Sequence, residues 1–403
     1  MAGVSSRHYP PGRETVQRWK RVAMSLAFPV VAVISGVIAW NGFLTDAAAS
    51  ASLILLLLWA RARSRVTAAA AVFAYFTGAS WSLLVGSVVY FDSIVTAAMV
   101  WAGAGFLWCL PWVAFWGKSH LGQRAAIALA VSVLPPLGII SWASPLLTAG
   151  VCFPGSGTAG LVLMFSSCCA IAHFARHALH VSMALIGVLA IGAFIGDVPY
   201  RKDISLTGID TRAGSPQDDF VHVAEFDRAV AIAADNAPAG STLVFPEAAL
   251  VSPSVARSFL RLGLKKIAAK QMRLISGARE GTAARPRNVL EDIETGEVIA
   301  ESRMPPPAAM WQPWRGDGGY PMRWEADGIA TTMPRTAVLI CYETVLVWPG
   351  LISTVQNPTR LIVVANLWFD RSGRIEAAER QAAHLWARLW DAELTIAVNQ
   401  ARR

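Results

Sequence analysis

The distribution of charge along the chain separates an apolar first half from a second half of ordinary polarity. Between Val22 and Ile195 the sequence consists of long apolar runs with almost no carboxylates, whereas charged residues return at normal density from Asp203 onward. Over all 403 residues, 54% are hydrophobic and only 15% are charged, against about 25% charged in an ordinary soluble domain. This contrast predicts a multi-span α-helical membrane bundle over residues 1–200 and an α/β domain over residues 201–403.

The apolar half is long enough for about seven transmembrane helices, because roughly 20 apolar residues cross the hydrocarbon core. Pro135-Pro136 predicts a kink in the fifth, and the second and sixth are short. The predicted spans run approximately Val22–Trp40, Leu44–Ala60, Val66–Tyr90, Ser93–Trp116, Ala125–Leu146, Thr158–Phe174 and Ala178–Ile195.

The basic residues near the spans predict their orientation. The opposite ends carry Asp46 and Asp92 with nothing basic, so the positive-inside rule predicts a cytoplasmic N-terminus and a periplasmic second half. The long basic N-terminal region predicts a retained first span rather than a cleaved signal peptide. The basic residues are Arg7, Arg13, Arg18, Lys20 and Arg21 before the first span, Arg61, Arg63 and Arg65 after the second, Lys118 and Arg124 after the fourth, and Arg176 after the sixth.

Several function classes fit this composition poorly. Transporters need ionisable groups inside the membrane, and no Asp, Glu or Lys lies deep in a predicted span. The net charge of +8 follows the cytoplasmic loops, so we expect no direct binding of nucleic acid. The cysteines show no CxxC or metal-ligand spacing, so we expect neither a metal, a cofactor nor a disulfide framework.

The second half alternates between strands and helices, which predicts a two-layer or sandwiched α/β domain. We predict helices over Asp219–Asn236, Ser254–Lys270 and Glu376–Leu389. The predicted strands are Ile204–Gly208, Ser241–Phe245, Arg273–Ser276, Asn288–Glu291, Val298–Glu301, Ala337–Ile340, Leu361–Ala365 and Leu394–Val398.

Two of these strands run directly into a chemically reactive side chain. Glu247 follows the strand that ends at Phe245, and Cys341 follows the strand that ends at Ile340. Sites in α/β proteins lie at the carboxyl ends of strands, and a thiol needs a base such as a carboxylate to become a nucleophile. Taken alone, a small buried cysteine and a capping glutamate remain the commoner explanation.

The residues around this pair resemble the nitrilase, or carbon–nitrogen hydrolase, superfamily, whose domains have α-β-β-α layering. The segments that carry the resemblance are Phe245-Pro246-Glu247-Ala248-Ala249-Leu250, Ile340-Cys341-Tyr342-Glu343 and Asn366-Leu367-Trp368-Phe369. A later helix keeps Glu393 of that superfamily's Arg-Ala-x-Glu motif, while Trp390 and Asp391 replace the Arg and Ala. Seven spans before such a domain resemble the layout of apolipoprotein N-acyltransferases. The chain length is closer still to the TraB conjugal-transfer proteins of rhizobial and agrobacterial plasmids.

The resemblance implies roles for four residues. Cys341 would be the nucleophile that forms a thioester, Glu247 the general base, and Glu343 a supporting carboxylate. The catalytic lysine of the superfamily is missing, since no lysine follows Lys270, and Arg303 is the nearest positional match. A further carboxylate is also missing unless Asp317 or Glu325 replaces it. The acyltransferases return to the membrane in an eighth span, so we expect a shortened C-terminus here.

Three functions remain open on the sequence alone. The chain is a conjugal-transfer protein that transfers or cleaves an acyl group, a catalytically reduced nitrilase-like scaffold of the mating-pair apparatus, or an apolipoprotein N-acyltransferase. The resemblance implies a multi-pass protein of the bacterial inner membrane. Its expected partners are conjugation apparatus proteins and a membrane lipid or lipoprotein as acyl donor or acceptor.

Overall fold

Apolar helices form the first half of the chain in a computed structural model that describes residues 27–196, 200–215, 220–251, 256–282, 285–314, 319–324, 333 and 335–402. Ser64 and Ser93 each accept a hydrogen bond from a backbone N–H of the following helix, and so start α3 and α4 as N-caps. The helices are α1 (Ala27–Trp40), α2 (Ile54–Arg61), α3 (Arg65–Phe91), α4 (Ile94–Ala114), α5 (Leu121–Val133), α6 (Ala149–Cys152), α7 (Gly157–Phe174) and α8 (Leu179–Ile195).

Three of these helices, α3, α4 and α7, are long and apolar enough to cross a membrane. Helices α1, α5 and α8 are apolar but shorter, with 10–17 residues each. The bundle of seven spans therefore stays a prediction. The five basic residues predicted before the first span lie outside the described residues.

Two predicted spans are interrupted. The second begins as a 3-10 helix over Asp46–Leu53 and becomes α-helical only at Ile54. The fifth ends at Val133, before Pro135-Pro136, where the ring of proline prevents the helix from continuing. The chain then runs through two short 3-10 helices, Leu137–Ile140 and Pro145–Thr148, to α6. Their buried position lets these irregular segments exist beside apolar helices.

The second half contains two sheets that face each other. Strands β1 (Leu206–Gly208), β2 (Thr242–Val251), β3 (Arg273–Thr282), β4 (Arg285–Asp292) and β5 (Val298–Glu301) form the first sheet in that order. The first three are parallel, and β4 and β5 are antiparallel additions. Strands β6 (Thr336–Ile340), β7 (Arg360–Asn366) and β8 (Glu393–Asn399) form the second sheet and are all parallel.

Helices cover the outer faces of both sheets, which gives four layers. Helices α9 (Phe220–Asn236) and α10 (Arg261–Ala269) pack on the first sheet. Helix α12 (Arg374–Trp390) and the apolar half of the chain, α1–α8, share one core with the second sheet. The structure also contains a helix that we did not predict, α11 (Val347–Val355). Its nine residues are largely buried and begin shortly after the end of β6. The eight strands otherwise lie where the alternation predicts them.

Candidate active site

Cys341 occupies a sharp turn at the carboxyl end of β6. The strand ends at Ile340, and a 3-10 helix over Cys341–Val345 begins at once. Cys341 itself has φ of 52°, in the left-handed region. Such a backbone costs a non-glycine residue about 1–3 kcal/mol and recurs at functional sites. Cys341 as a residue is half-buried, whereas all five residues of β6 are buried.

Glu247 lies on an irregularity in β2. The pairing of β2 with β3 shifts between Phe245 and Leu250, where Pro246 has no N–H to donate to the sheet. This bulge lies over Gly277 of β3, since a Cβ built at Gly277 would come 2.4 Å from the Glu247 Cα. Position 277 must therefore be a glycine for β2 to keep this bulge at Glu247.

The two candidate residues lie beside each other, since the Cys341 thiol and the Glu247 carboxylate each shift the pKa of the other. The Glu247 side chain is only 4% exposed. Its Oε1 accepts from the Asn288 side-chain amide, and its Oε2 accepts from the backbone N–H of Asn366 at 2.9 Å. These two donors fix the orientation of the carboxylate beside the sulfur.

Burial controls the protonation of this pair. It raises the pKa of Glu247, although the neighbouring Cys341 thiol and the hydrogen bond from Asn288 oppose the rise. Burial also raises the pKa of Cys341 well above its ordinary value, and the negative charge of Glu247 adds to it. The sulfur therefore rests as a thiol, and its proton has one adjacent acceptor, the Glu247 carboxylate.

Arg303 and Glu343 form a buried pair behind the turn. The Glu343 carboxylate accepts from the Arg303 backbone N–H, from the Met304 N–H at 2.9 Å and from the Ser302 hydroxyl at 3.2 Å. The Arg303 Nη2 donates to the Val338 carbonyl at 3.2 Å and lies 3.5 Å from Glu343. These contacts tie the segment after β5 to the nucleophile turn. The contacts of Arg303 thus lie on Glu343 and on β6.

Arg279 supplies a positive charge that we did not predict. It stands directly opposite Asn288 in the pairing of β3 with β4, so both side chains leave the same face of the sheet. Asn288 reaches Glu247 from that face, and the Arg279 charge lowers the pKa of Glu247 and of Tyr320 against the effect of burial. The Arg279 Nε is buried and has no hydrogen-bond partner within the described part of the chain. No motif marks this arginine, because strand pairing alone brings it to the site.

Glu379 of α12 is a second buried carboxyl group that we did not predict. It is 8% exposed, and among the residues that the structure describes its Oε2 has no hydrogen-bond partner. Burial raises its pKa well above the ordinary value, and the charges of Glu247 and Asp370 raise it further. Its proton is therefore held in the pH range where an exposed glutamate has lost it.

Aromatic side chains from both halves of the chain border the site. Tyr90, one residue before the end of α3, packs its ring against Phe369 at 5.5 Å and Trp368 at 6.0 Å between centroids. Its phenol lies within electrostatic reach of Glu247 and Cys341. A candidate membrane helix thus ends at the candidate nucleophile. The alternative carboxylates Asp317 and Glu325 lie outside the described residues, which contain no cluster of His, Cys, Asp or Glu suited to a metal.

Sequence comparison finds relatives that match nearly the whole chain. A protein of Sinorhizobium fredii, named as a probable conjugal transfer protein TraB, is 29% identical over 386 residues, covering 92% of this chain and 97% of that protein. The chain is similar to TraB conjugal transfer proteins. The Agrobacterium fabrum conjugal transfer protein TraB is likewise 29% identical, over 96% of this chain and 94% of its own length. No family model matches the chain.

Comparison with solved structures finds nitrilase-superfamily amidases. One is a mutant amidase of Nesterenkonia sp. AN1 carrying acrylamide on its active-site cysteine, with 16% identity and a TM-score of 0.27 over 40% of this chain and 65% of that one. A second mutant of the Nesterenkonia amidase has 17% identity and a TM-score of 0.27 over 42% of this chain and 66% of its own. The matched region spans slightly less than two thirds of each amidase.

Proposed function

We propose that this chain is a multi-pass protein of the bacterial inner membrane that supports conjugal plasmid transfer. We further propose that it transfers or cleaves an acyl group through a thioester on Cys341. The similarity to the TraB proteins supports the first statement. The position of the Glu247 carboxylate beside the Cys341 thiol, with Glu247 held by Asn288 and the Asn366 N–H, carries the second. The α/β half would face the periplasm, as the positive-inside rule predicts.

The chemistry begins with attack of the Cys341 sulfur on an ester or amide carbonyl carbon. As the carbon–sulfur bond forms, the thiol proton passes to Glu247. The tetrahedral intermediate then expels the alcohol or amine, which takes that proton from Glu247. The acyl group is left on sulfur as a thioester. An amine or water attacks the thioester next, Glu247 accepts its proton, and the sulfur leaves and is reprotonated.

The negative charge on the carbonyl oxygen needs a cation or N–H donors, and Arg279 has the position for this role. It borders Glu247 from β3, and its buried Nε has no hydrogen-bond partner among the described residues. Arg303 Nη1 likewise has none there, but Arg303 Nη2 already contacts Glu343 and the Val338 carbonyl. We assign oxyanion stabilisation to Arg279 with the backbone after Cys341. The roles of Arg303 and Glu343 are then to hold the nucleophile turn in place.

The aromatic border of the site supports a substrate that arrives from the membrane. Tyr90 ends a helix long enough to span the bilayer and packs beside the site with Trp368 and Phe369. Aromatic side chains are common at the membrane–water interface. An acyl donor or acceptor held in the bilayer, such as a lipid or lipoprotein, would reach the thiol from that border.

Thioester capture tests the proposal directly. Full-length protein is incubated with a panel of acyl esters, and hydroxylamine-sensitive labelling is mapped by mass spectrometry. We expect labelling at Cys341 that Cys341→Ala abolishes and that Cys169→Ala, a control at a partly exposed cysteine of α7, retains. Absence of labelling across the panel would contradict the enzymatic proposal.

A conjugation assay separates the enzyme from the scaffold alternative, which the missing lysine favours. Donor cells that carry only the Cys341→Ala variant should transfer the plasmid at a sharply reduced frequency if chemistry is required. An unchanged frequency, with normal protein levels, would favour a catalytically reduced scaffold that contacts the mating-pair apparatus.

Separate substitutions of Arg279 and Arg303 should affect different properties, the rate of thioester formation and the thermal stability. Arg279→Gln should lower the rate of thioester formation by about 10²–10³, as loss of an oxyanion donor does, without a large change in thermal stability. Arg303→Gln should instead lower the unfolding temperature, since Glu343 loses a buried partner. Slower thioester formation in Arg303→Gln, with lower stability in Arg279→Gln, would instead assign oxyanion stabilisation to Arg303.

A further inference from the structure

Basic residues line a cavity at the end of the membrane half that lies away from the α/β half. The cavity has a volume of about 380 Å³ and is lined by Arg61, Ala62, Arg63, Lys118 and Arg176. Arg61 ends α2, while Lys118 and Arg176 follow α4 and α7. Basic residues at or just after the ends of three helices therefore line the same cavity.

Hydrogen bonds between the ends of α2 and α7 hold Arg61 and Arg176 in position. Arg61 Nη1 donates to the Ala175 carbonyl at 3.0 Å, past the end of α7. Arg176 donates from Nε to the Ala60 carbonyl at 2.7 Å and from Nη2 to the Ala62 carbonyl at 2.8 Å, at the end of α2. Cations are favourable at helix C-termini, and this crossed capping fixes both guanidinium groups beside the cavity.

Few carboxylates occur in the sequence around Arg61, Lys118 and Arg176. Between Asp46 and Asp197 the only carboxylate is Asp92, which lies past the other end of α3. Before Ala27, Glu14 is the only carboxylate against five basic residues. Burial and the nearby charge of Arg61 both lower the pKa of Arg176. An anion from outside the chain would relieve this repulsion.

We propose that this cavity binds the phosphate group of an anionic phospholipid. Helices α3, α4 and α7 are the candidate membrane spans among the described residues, and the cavity lies at their ends, where the headgroups of a bilayer stand. Guanidinium groups bind phosphate oxygens with two parallel hydrogen bonds. The volume falls within the range of small-ligand sites, about 300–1,000 Å³.

Membrane topology alone would also place basic residues at this end, but it does not require them to converge. The positive-inside rule asks only for charge near the span ends. Arg65 satisfies that rule, since it is exposed at the start of α3 and does not line the cavity. Arg65 is therefore a matched control for the lining residue Lys118, which is also exposed.

The test measures lipid binding to the full-length protein in a neutral detergent by native mass spectrometry. Phosphatidylglycerol, phosphatidylcholine and inorganic phosphate are titrated separately. We expect one tightly retained phosphatidylglycerol. Lys118→Gln should weaken its binding by roughly fivefold, the usual effect of one basic residue near anionic headgroups, and Arg65→Gln should leave it unchanged.

Three results would overturn the proposal. Equal retention of phosphatidylcholine would mean that no anionic headgroup is selected. Equal protection by inorganic phosphate would identify a site for free phosphate instead. Equal losses in Lys118→Gln and Arg65→Gln would show attraction by overall charge rather than a site. The unfolding temperature of each variant without lipid establishes that its fold is intact.

Discussion

The phenol of Tyr342, the residue after the candidate nucleophile, donates a hydrogen bond of 2.7 Å to the carbonyl oxygen of Ile139. Ile139 belongs to the irregular buried segment that follows the broken helix α5. In the same region the backbone N–H of Val347 donates to the Ser141 hydroxyl at 3.2 Å. The apolar half of the chain therefore contacts the turn of the candidate nucleophile directly.

Removing the Tyr342 hydroxyl should loosen this attachment. Tyr342→Phe leaves the buried Ile139 carbonyl without its donor, which costs about 1–3 kcal/mol. We expect a lower unfolding temperature in detergent and slower acylation of Cys341. Tyr200→Phe, at a residue outside this contact, is the control. Unchanged acylation in Tyr342→Phe would mean that the turn keeps its shape without the membrane half.

A methyl group at Gly277 should displace the bulge that carries Glu247. The Cβ of Gly277→Ala would lie 2.3 Å from the Pro246 carbonyl oxygen and 2.4 Å from the Glu247 Cα, both backbone atoms. Overpacking of this kind costs about 1–3 kcal/mol, and the shift should remove most thioester formation. Gly103→Ala is the control, because its Cβ would meet nothing within 4 Å. Normal acylation in Gly277→Ala would contradict the geometry of the bulge.

The raised pKa of Glu379 should make the protein less stable as the pH rises. Burial raises its pKa in the folded state above the unfolded value, so the folded state keeps a proton that the unfolded state has lost. This contribution is complete below the unfolded pKa, near 4.3, and is lost as the pH rises through the folded pKa. Glu379→Gln should flatten that fall in unfolding temperature, whereas Glu297→Gln, at an exposed residue, should not. Parallel curves for the native protein and Glu379→Gln would refute the assignment.

The acylation rate should fall in acid because Glu247 must be ionised to accept the thiol proton. Burial raises the pKa of Glu247 above the ordinary value of 4.5, so the loss of rate should begin at a higher pH than for an exposed glutamate. The measurement is the rate of Cys341 acylation against pH, with unfolding followed in parallel. A rate independent of pH through this range would remove Glu247 from the role of base.

The contact of Asp46 with α12 should stabilise the docking of the two halves. Asp46 lies 3.3 Å from His384 Nδ1 and 3.3 Å from Arg388 Nη2, and its side chain is 11% exposed. Asp46→Asn removes the charge from a largely buried pair, which costs roughly 3–5 kcal/mol. Asp92→Asn, at an exposed residue in the left-handed region that asparagine tolerates, should be neutral. Equal unfolding temperatures for both variants would count against this docking.

The sequence by itself determined the periodic parts of the molecule and the two chemical motifs. Long apolar runs specify helices because hydrocarbon-like segments must satisfy their own backbone hydrogen bonds. Alternating apolar segments specified all eight strands of the two sheets. Glu247 and Cys341 were recognisable because each follows such a strand directly.

The tertiary structure decided which side chains join that pair. Arg279 reaches the site through its pairing with Asn288, and Glu379 through the packing of α12, and neither contact leaves a local pattern in the sequence. Arg303 stands where the resemblance to nitrilases predicts a lysine, yet its side chain contacts Glu343. Charges and hydrogen bonds act through space, so the electrostatics of the site follow from how distant strands and helices pack rather than from their order in the chain.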